Sequence, residues 1–111
     1  MIQKNPTIDS FEIILGQAYY NQGFFNIRVK HSEKIGLDNE EIEIQLGDNT
    51  TKIVRGYINR TANPNGTPRI MLGKKYTEWI KNNYSQKDIL IVDILSRVSL
   101  RLNEKAKTEG L

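Results

Sequence analysis

Cysteine is absent from this 111-residue chain, and histidine occurs once, at His31. The first absence excludes a disulfide framework, a thiolate metal site and cysteine-based nucleophilic catalysis, and one imidazole cannot build the ligand cluster that zinc takes. No metal or cofactor is therefore expected. No run of about 18 apolar residues is present to span a membrane, and the segment 1–6 lacks the apolar stretch of a secretory signal. These absences predict a soluble, cytoplasmic protein. In such a protein the four Asn-x-Ser/Thr triplets, at Asn49, Asn59, Asn65 and Asn83, read as coincidental and not as glycan acceptors. Phosphate-cradling glycine motifs are missing as well. No Asp or Glu is followed two positions later by Lys, the spacing that a magnesium-dependent nuclease of the restriction type would need. The chain is predicted not to be an enzyme.

What is present is enough for one domain (1–111) with a modest core, since 38% of residues are hydrophobic and 26% charged. Short runs of β-branched and aromatic residues bounded by Gly, Asn, Asp and Pro dominate. Strands are predicted at 11–15, 24–29, 41–46, 52–58, 69–72, 89–95 and 99–102, with a turn or single helical turn at 34–37. Alternation places Phe25, Ile27 and Val29 on one face of the second strand, and Ile42, Ile44 and Leu46 inward on the third. The near-continuous apolar run 89–95 predicts a strand buried on both sides. The one clear helix is 74–84, with Tyr76, Trp79 and Ile80 on its apolar face. Trp79 is assigned to the core. Residues 103–111 are expected to be a polar tail. The absence of a strand–helix alternation favours a mainly β fold, a seven-stranded antiparallel open barrel, or pseudobarrel, with one or two short helices.

Charge is unevenly spread although the net value is only +3. Five carboxylates and no cation lie between Asp38 and Asp48, whereas eight cations and one carboxylate, Glu78, lie between Thr50 and Lys87. This asymmetry predicts a basic face with an acidic back, suited to docking on a polyanion. Two polar arms flank strands, at 16–23 and 59–68. Their Gln17, Asn21, Gln22, Asn63 and Asn65 offer the paired donor and acceptor that adenine presents a match for, and Arg60 or Arg69 offers the fork that guanine accepts. Thr61 and Tyr19 are further base-contact candidates, although Asn-Pro and Asn-Gly also serve simple turn chemistry. Tyr20, Arg28, Lys30, Lys52, Arg55, Lys74 and Lys75 are candidates for phosphate contact, which positions without specifying sequence.

The segment Trp79–Val92 (aromatic helix, polar loop, Asp88 in the turn, hydrophobic strand), together with the two arms, resembles the DNA-binding pseudobarrel of plant B-three transcription factors. It is closest to the DNA-recognition (effector) domains of bacterial restriction endonucleases. The resemblance covers roughly Phe11 to Leu102 and departs at Lys87, where plant members usually carry glycine. It implies arms that clamp the major groove, double-stranded DNA as partner, and a separate nuclease domain or subunit that cuts. The domain itself is expected to be monomeric. Two other classes stay open on the residues alone: a single-stranded nucleic-acid barrel stacking bases on Tyr19, Tyr20 and Tyr57, and a protein-interaction module using the acidic strand 41–46.

Overall fold

The computed structural model describes residues 7–104. Seven strands, β1 (Asp9–Ile14), β2 (Phe24–Asn26), β3 (Glu41–Leu46), β4 (Ile53–Asn59), β5 (Arg69–Met71), β6 (Ile89–Ser96) and β7 (Ser99–Leu102), form one sheet in the order β1-β6-β7-β3-β4-β5-β2. The sheet curls into a half-barrel. The fold is mainly β as expected, but the sheet is mixed. β7 lies parallel to β3, while every other neighbouring pair is antiparallel. A parallel pair needs a long crossover, and here β4, β5, a helix and β6 intervene. The described residues include three short helices: α1 (Gln17–Asn21), a 3-10 helix (Val29–Lys34) and α2 (Lys74–Asn83). The two sheet edges, β1 and β2, are not paired. Arg28 spans the seam near them, donating from Nε and Nη2 to the Glu12 carbonyl at 3.0 and 2.8 Å.

The inner face holds the core, including Phe25, Ile42, Ile44, Ile58, Ile70, Leu90 and Ile94. β3 alternates as its sequence predicts, with Ile42, Ile44 and Leu46 inward. β6 does not satisfy the expectation of double burial. Ile89 and Ile91 are 54% and 43% exposed, beside Ile14 at 61%, because a half-barrel covers only one face of its strands. β2 is shorter than its apolar run. Its partner β5 begins after Pro68, which has no N–H for the ladder, and Ile27 N–H closes the pairing on the Pro68 carbonyl. The chain then enters the 3-10 helix, which turns Val29 outward and buries His31 and Ile35 instead.

α2 and α1 cover one end of the half-barrel, and the 3-10 helix covers the other. Tyr76, Trp79 and Ile80 of α2 are buried, with the Tyr76 ring 5.9 Å from Phe25, so Trp79 is core as assigned. Gly23 couples α2 to the first arm. At φ 77° its carbonyl accepts Leu72 and Gly73 N–H, and a Cβ there would lie 2.9 Å from the Gly73 Cα. Asn103, assigned to the tail by sequence, is instead tied to the sheet. Asn103 N–H donates to the Ile91 carbonyl, its Nδ2 to Asp93 at 3.0 Å, and its own carbonyl accepts the Tyr84 hydroxyl at 2.6 Å. Residues 105–111 of the expected tail lie outside the described residues.

Beside Thr67, two ionisable polar residues, Asp93 and His31, are buried in this frame. Asp93 accepts Ser10 Oγ, Asn103 Nδ2, and the Nε and Nη2 of Arg101. Burial pushes this carboxyl up, but those donors outweigh it and hold the group below its ordinary value. His31 stacks on Phe11 with ring centroids 5.1 Å apart, and its Nδ1 lies 3.0 Å from Asp9 Oδ2, off the line of a hydrogen bond. Burial pushes the imidazole down, against the pull of the Asp9 carboxylate. Hydrogen bonds from Lys34 and the Ser10 backbone hold Asp9 at about 2.

Two predictions follow from these local states. The unfolded chain protonates His31 near 6.5 while the fold resists it, so this contribution is full above that pH and is lost as pH falls below it. Asp9 adds a second loss as pH falls from 3.8 toward about 2. Urea midpoints measured against pH should decline between 6.5 and 3.8 in the parent and stay flat over that window in His31→Phe. Separately, Lys87 holds φ 76°, in the left-handed region, with its N–H on the Leu15 carbonyl. That conformation costs a side-chain-bearing residue about 1–2 kcal/mol. Lys87→Gly should therefore raise stability by about 1 kcal/mol in denaturant titration, after glycine's unfolded-state entropy is subtracted.

Candidate nucleic-acid interface

The first arm is not a loop but α1. Its backbone is fixed to α2 by the Tyr76 hydroxyl, which donates to the Tyr19 carbonyl at 2.9 Å. Burial drives that hydroxyl's pKa well above the ordinary tyrosine value, so it stays a donor. Tyr20 points the same way: half-buried against the core, its hydroxyl donates to the Tyr84 carbonyl at 3.2 Å. Tyr20 therefore serves packing, and the expected phosphate contact is not what its hydroxyl is engaged in. Gln17, Asn21 and Gln22 are exposed, with Asn21 Nδ2 donating to the Gln17 carbonyl at 2.9 Å.

The second arm owes its shape to asparagine. Asn59 Oδ1 accepts the N–H and hydroxyl of Thr61, and Asn65 Oδ1 accepts the same two groups of Thr67. Asn49 and Thr51 repeat the pattern at the β3–β4 turn. The Asn-x-Thr spacing is thus Asx-turn chemistry at three of the four triplets.

Arg60 was expected to read a base, and the structure gives it different work. Its Nε donates to the Gly36 carbonyl, Nη1 to Ser32 Oγ and the Gly66 carbonyl, and Nη2 to the Ser32 and Ile35 carbonyls, all between 2.8 and 3.1 Å. A guanidinium has five N–H donors, and these contacts use every one. Arg60 fastens the second arm to the end of the 3-10 helix. Asn63 is likewise committed: its Nδ2 donates to Asn26 Oδ1 at 3.0 Å and to the Thr67 carbonyl at 3.2 Å. With both N–H groups spent, it retains only an acceptor, and adenine needs a donor too.

The arms were expected at neighbouring strand ends. They occupy opposite ends of the half-barrel instead, since α1 follows the Ile14 end of β1 beside α2, and the second arm meets the 3-10 helix. Between them lie only β2 and β5, each of three residues, or roughly 10 Å of strand. Their outer face joins the arms continuously. Tyr19 meets the Phe24 ring edge-on at 5.9 Å, and the Arg69 guanidinium carbon lies 4.3 Å above the same ring. Arg69 Nε donates to Asn26 Oδ1 at 3.1 Å. Neither Nη of Arg69 has a hydrogen-bond partner among the described residues. Phe24 and Asn26 were not among the sequence candidates. The alternation that sends Phe25 and Ile27 inward would have found them, because it sends Phe24 and Asn26 out.

Four of the candidate phosphate contacts come together. Lys52 and Lys75 line a cleft of about 440 Å³ between β4 and α2, which shares Ile53, Val54 and Lys75 with a second, of about 530 Å³, that includes Arg55, Leu72 and Lys74. Arg55 also pairs with Glu43 at 3.2 Å. Arg28 and Lys30 lie apart, on the β1 side of the seam beside Glu12. The acidic residues are not on a separate back: Glu41 and Glu43 stand on the outer side of β3, directly opposite Tyr57 and Arg55. The segregation is in the sequence neighbours. Residues 13–32 and 49–77 contain no carboxylate, and β2 from the first pairs with β5 from the second.

Among the described residues no cluster of three or more His, Asp or Glu could hold a metal, and no helix is long and apolar enough to cross a membrane. In comparison with known proteins, no family model matches this chain, and no curated protein is significantly similar to it.

Proposed function

We propose that this domain binds double-stranded DNA sequence-specifically, with the outer face of β4, β5 and β2 and the arms at its two ends set against the major groove. The observation that carries this reading is the meeting of the two carboxylate-free segments at the β2–β5 pair, where the second segment brings Lys52, Arg55, Arg69, Lys74 and Lys75 to one region of the sheet. A duplex presents about one negative charge per 1.7 Å of axis, and on this face cations outnumber the carboxylates beside them, Glu43 being paired with Arg55 and Glu78 sharing a cleft with Lys52 and Lys75. Lys52, Arg55, Lys74 and Lys75 are the phosphate contacts in this reading. Gln17, Asn21 and Gln22 on α1 and Arg69 between the arms are the groups placed to reach base edges; Thr61 and Asn65 on the second arm are exposed but keep fewer free groups, since the Thr61 hydroxyl donates to Asn59 and Asn65 Oδ1 accepts twice from Thr67. Arg60, Asn63 and Tyr20 support the geometry from behind.

The left-handed φ of Lys87, at the position where the B-three pattern has glycine, supports the resemblance from which the restriction-modification role comes. In that role the domain reads DNA, and a separate nuclease domain or subunit cuts. Stacking of single-stranded bases is the less favoured reading. Of the three tyrosines it would use, Tyr20 packs on the core and Tyr19 meets the Phe24 ring edge-on, which leaves Tyr57 as one exposed ring on the face.

Fluorescence anisotropy against salt tests the proposal. If about four to six phosphates are neutralised, log K should fall with log salt at a slope of about −4 to −5, and a flat response would refute it. Lys74→Ala and Lys75→Ala should each reduce the slope by about 1 and weaken all duplexes alike. Both lysines oppose the α2 dipole, so their removal should leave the melting temperature unchanged or slightly higher. Arg60→Ala should behave in the opposite way. Loss of a guanidinium from five carbonyl and hydroxyl partners should cost about 2–4 kcal/mol of stability in urea titration, with the base preference of the remaining folded protein intact.

A further inference from the structure

We propose that Arg69 reads a guanine, through the end of its guanidinium fork, and that Phe24, Asn26 and Asn63 are positioning residues that aim it. The inference rests on duplex DNA being the ligand. Guanine offers two acceptors in the major groove, O6 and N7, and a planar fork satisfies both at once. An arginine on a flexible stem reaches that geometry only after losing side-chain entropy. Here three contacts remove the freedom beforehand. The Phe24 ring, 4.3 Å below, fixes the plane of the guanidinium. Asn26 Oδ1, 3.1 Å from Nε, fixes its rotation within that plane. Asn63 Nδ2, 3.0 Å from the same Oδ1, fixes Asn26 in turn.

The arrangement also selects which edge of the fork is offered. Arginine can present Nε with one Nη, or the two Nη groups together. Asn26 occupies Nε, so only the second remains, and both Nη groups are unpartnered among the described residues. Arg69 is paired with Asn59 on β4 and Asn26 on β2, and no carboxylate lies in either flanking segment to divert it. Arg60, nine residues earlier, is the internal contrast: the same side chain with all five donors consumed has nothing to offer a base.

The test uses the full chain and a selection on random duplexes, followed by base-analogue substitution. The selected sites should share a guanine. Replacing it with 7-deazaguanine, which lacks the N7 acceptor, should weaken binding by about fivefold or more. Inosine, which keeps O6 and N7 and drops only the minor-groove amino group, should bind like guanine. Arg69→Lys keeps the charge but not the fork, and should erase the guanine requirement while retaining salt-dependent duplex binding. Asn26→Ala and Phe24→Leu should each narrow the gap between guanine and 7-deazaguanine, with melting curves confirming that the variants fold. Duplex binding indifferent to 7-deazaguanine would overturn the guanine assignment and leave the DNA-binding reading standing. An Arg69→Lys variant weakened equally on every duplex, with its preference intact, would also overturn it. Failure to bind any duplex would overturn both.

Discussion

The three residues of β5 are the constraint on which the outer surface depends. Arg69–Met71 is the sole strand between β4 and β2, so the pairing on its two sides attaches one edge of the sheet to the rest. Ile70, fully buried opposite both Phe25 and Ile58, supplies the apolar anchor. Burying such a side chain stabilises by about 1.5–3 kcal/mol, a large share of what a three-residue ladder can hold. The limits of β5 are set by covalent chemistry. Pro68 cannot donate at its start, and Gly73, bound to Gly23, turns the chain into α2 at its end. Because the strand is this short, arms at opposite ends of the half-barrel remain parts of one surface.

Much of that frame could be read from residue order. β3 and β7 fall where the alternation of apolar and polar residues puts them, and α2 begins at the expected lysine, because in these segments local preference and the core demand the same thing. The misses have a common cause. Ile89 and Ile91 look like doubly buried residues, and Val29 looks like an inward one, but the sheet has a single covered face and a 3-10 helix interrupts the period at Val29. Neither fact is local. The parallel register of β3 with β7 is equally invisible, since it pairs Glu43 with Ser99, a residue far along the chain beyond three other strands and a helix.

The candidate site was legible in composition and poorly legible in role. Asn, Arg and Thr concentrate in the second arm as expected, yet most of their polar atoms bond to the arm itself. The Asn-x-Thr pattern has a local explanation in the Asx turn. Arg60 has little, because apart from the Gly66 carbonyl its partners are the Ser32 hydroxyl and carbonyls of residues 32–36, gathered at the end of a 3-10 helix where the exposed carbonyls favour a cation. Sequence distance hides such a pairing: nothing near Arg60 announces that the acceptors are elsewhere, and a carboxylate partner is missing.

Internal bonding of this kind changes how an arm can recognise anything. A loop whose polar groups all face solvent carries the largest number of possible contacts and also the largest ordering cost on binding, about 0.5–1.5 kcal/mol for each immobilised side chain. In this protein Arg60, Asn59, Asn63 and Asn65 give up donors and acceptors to hold the second arm rigid. The number of groups left to meet a ligand is small, but each is already in place. Arg69 is the sharpest instance, since its orientation is determined by Phe24 and Asn26 before any ligand arrives. Selectivity then comes from few groups held in fixed directions, because a rigid fork cannot swing to accept a mismatched partner and leaves its donors unsatisfied against one.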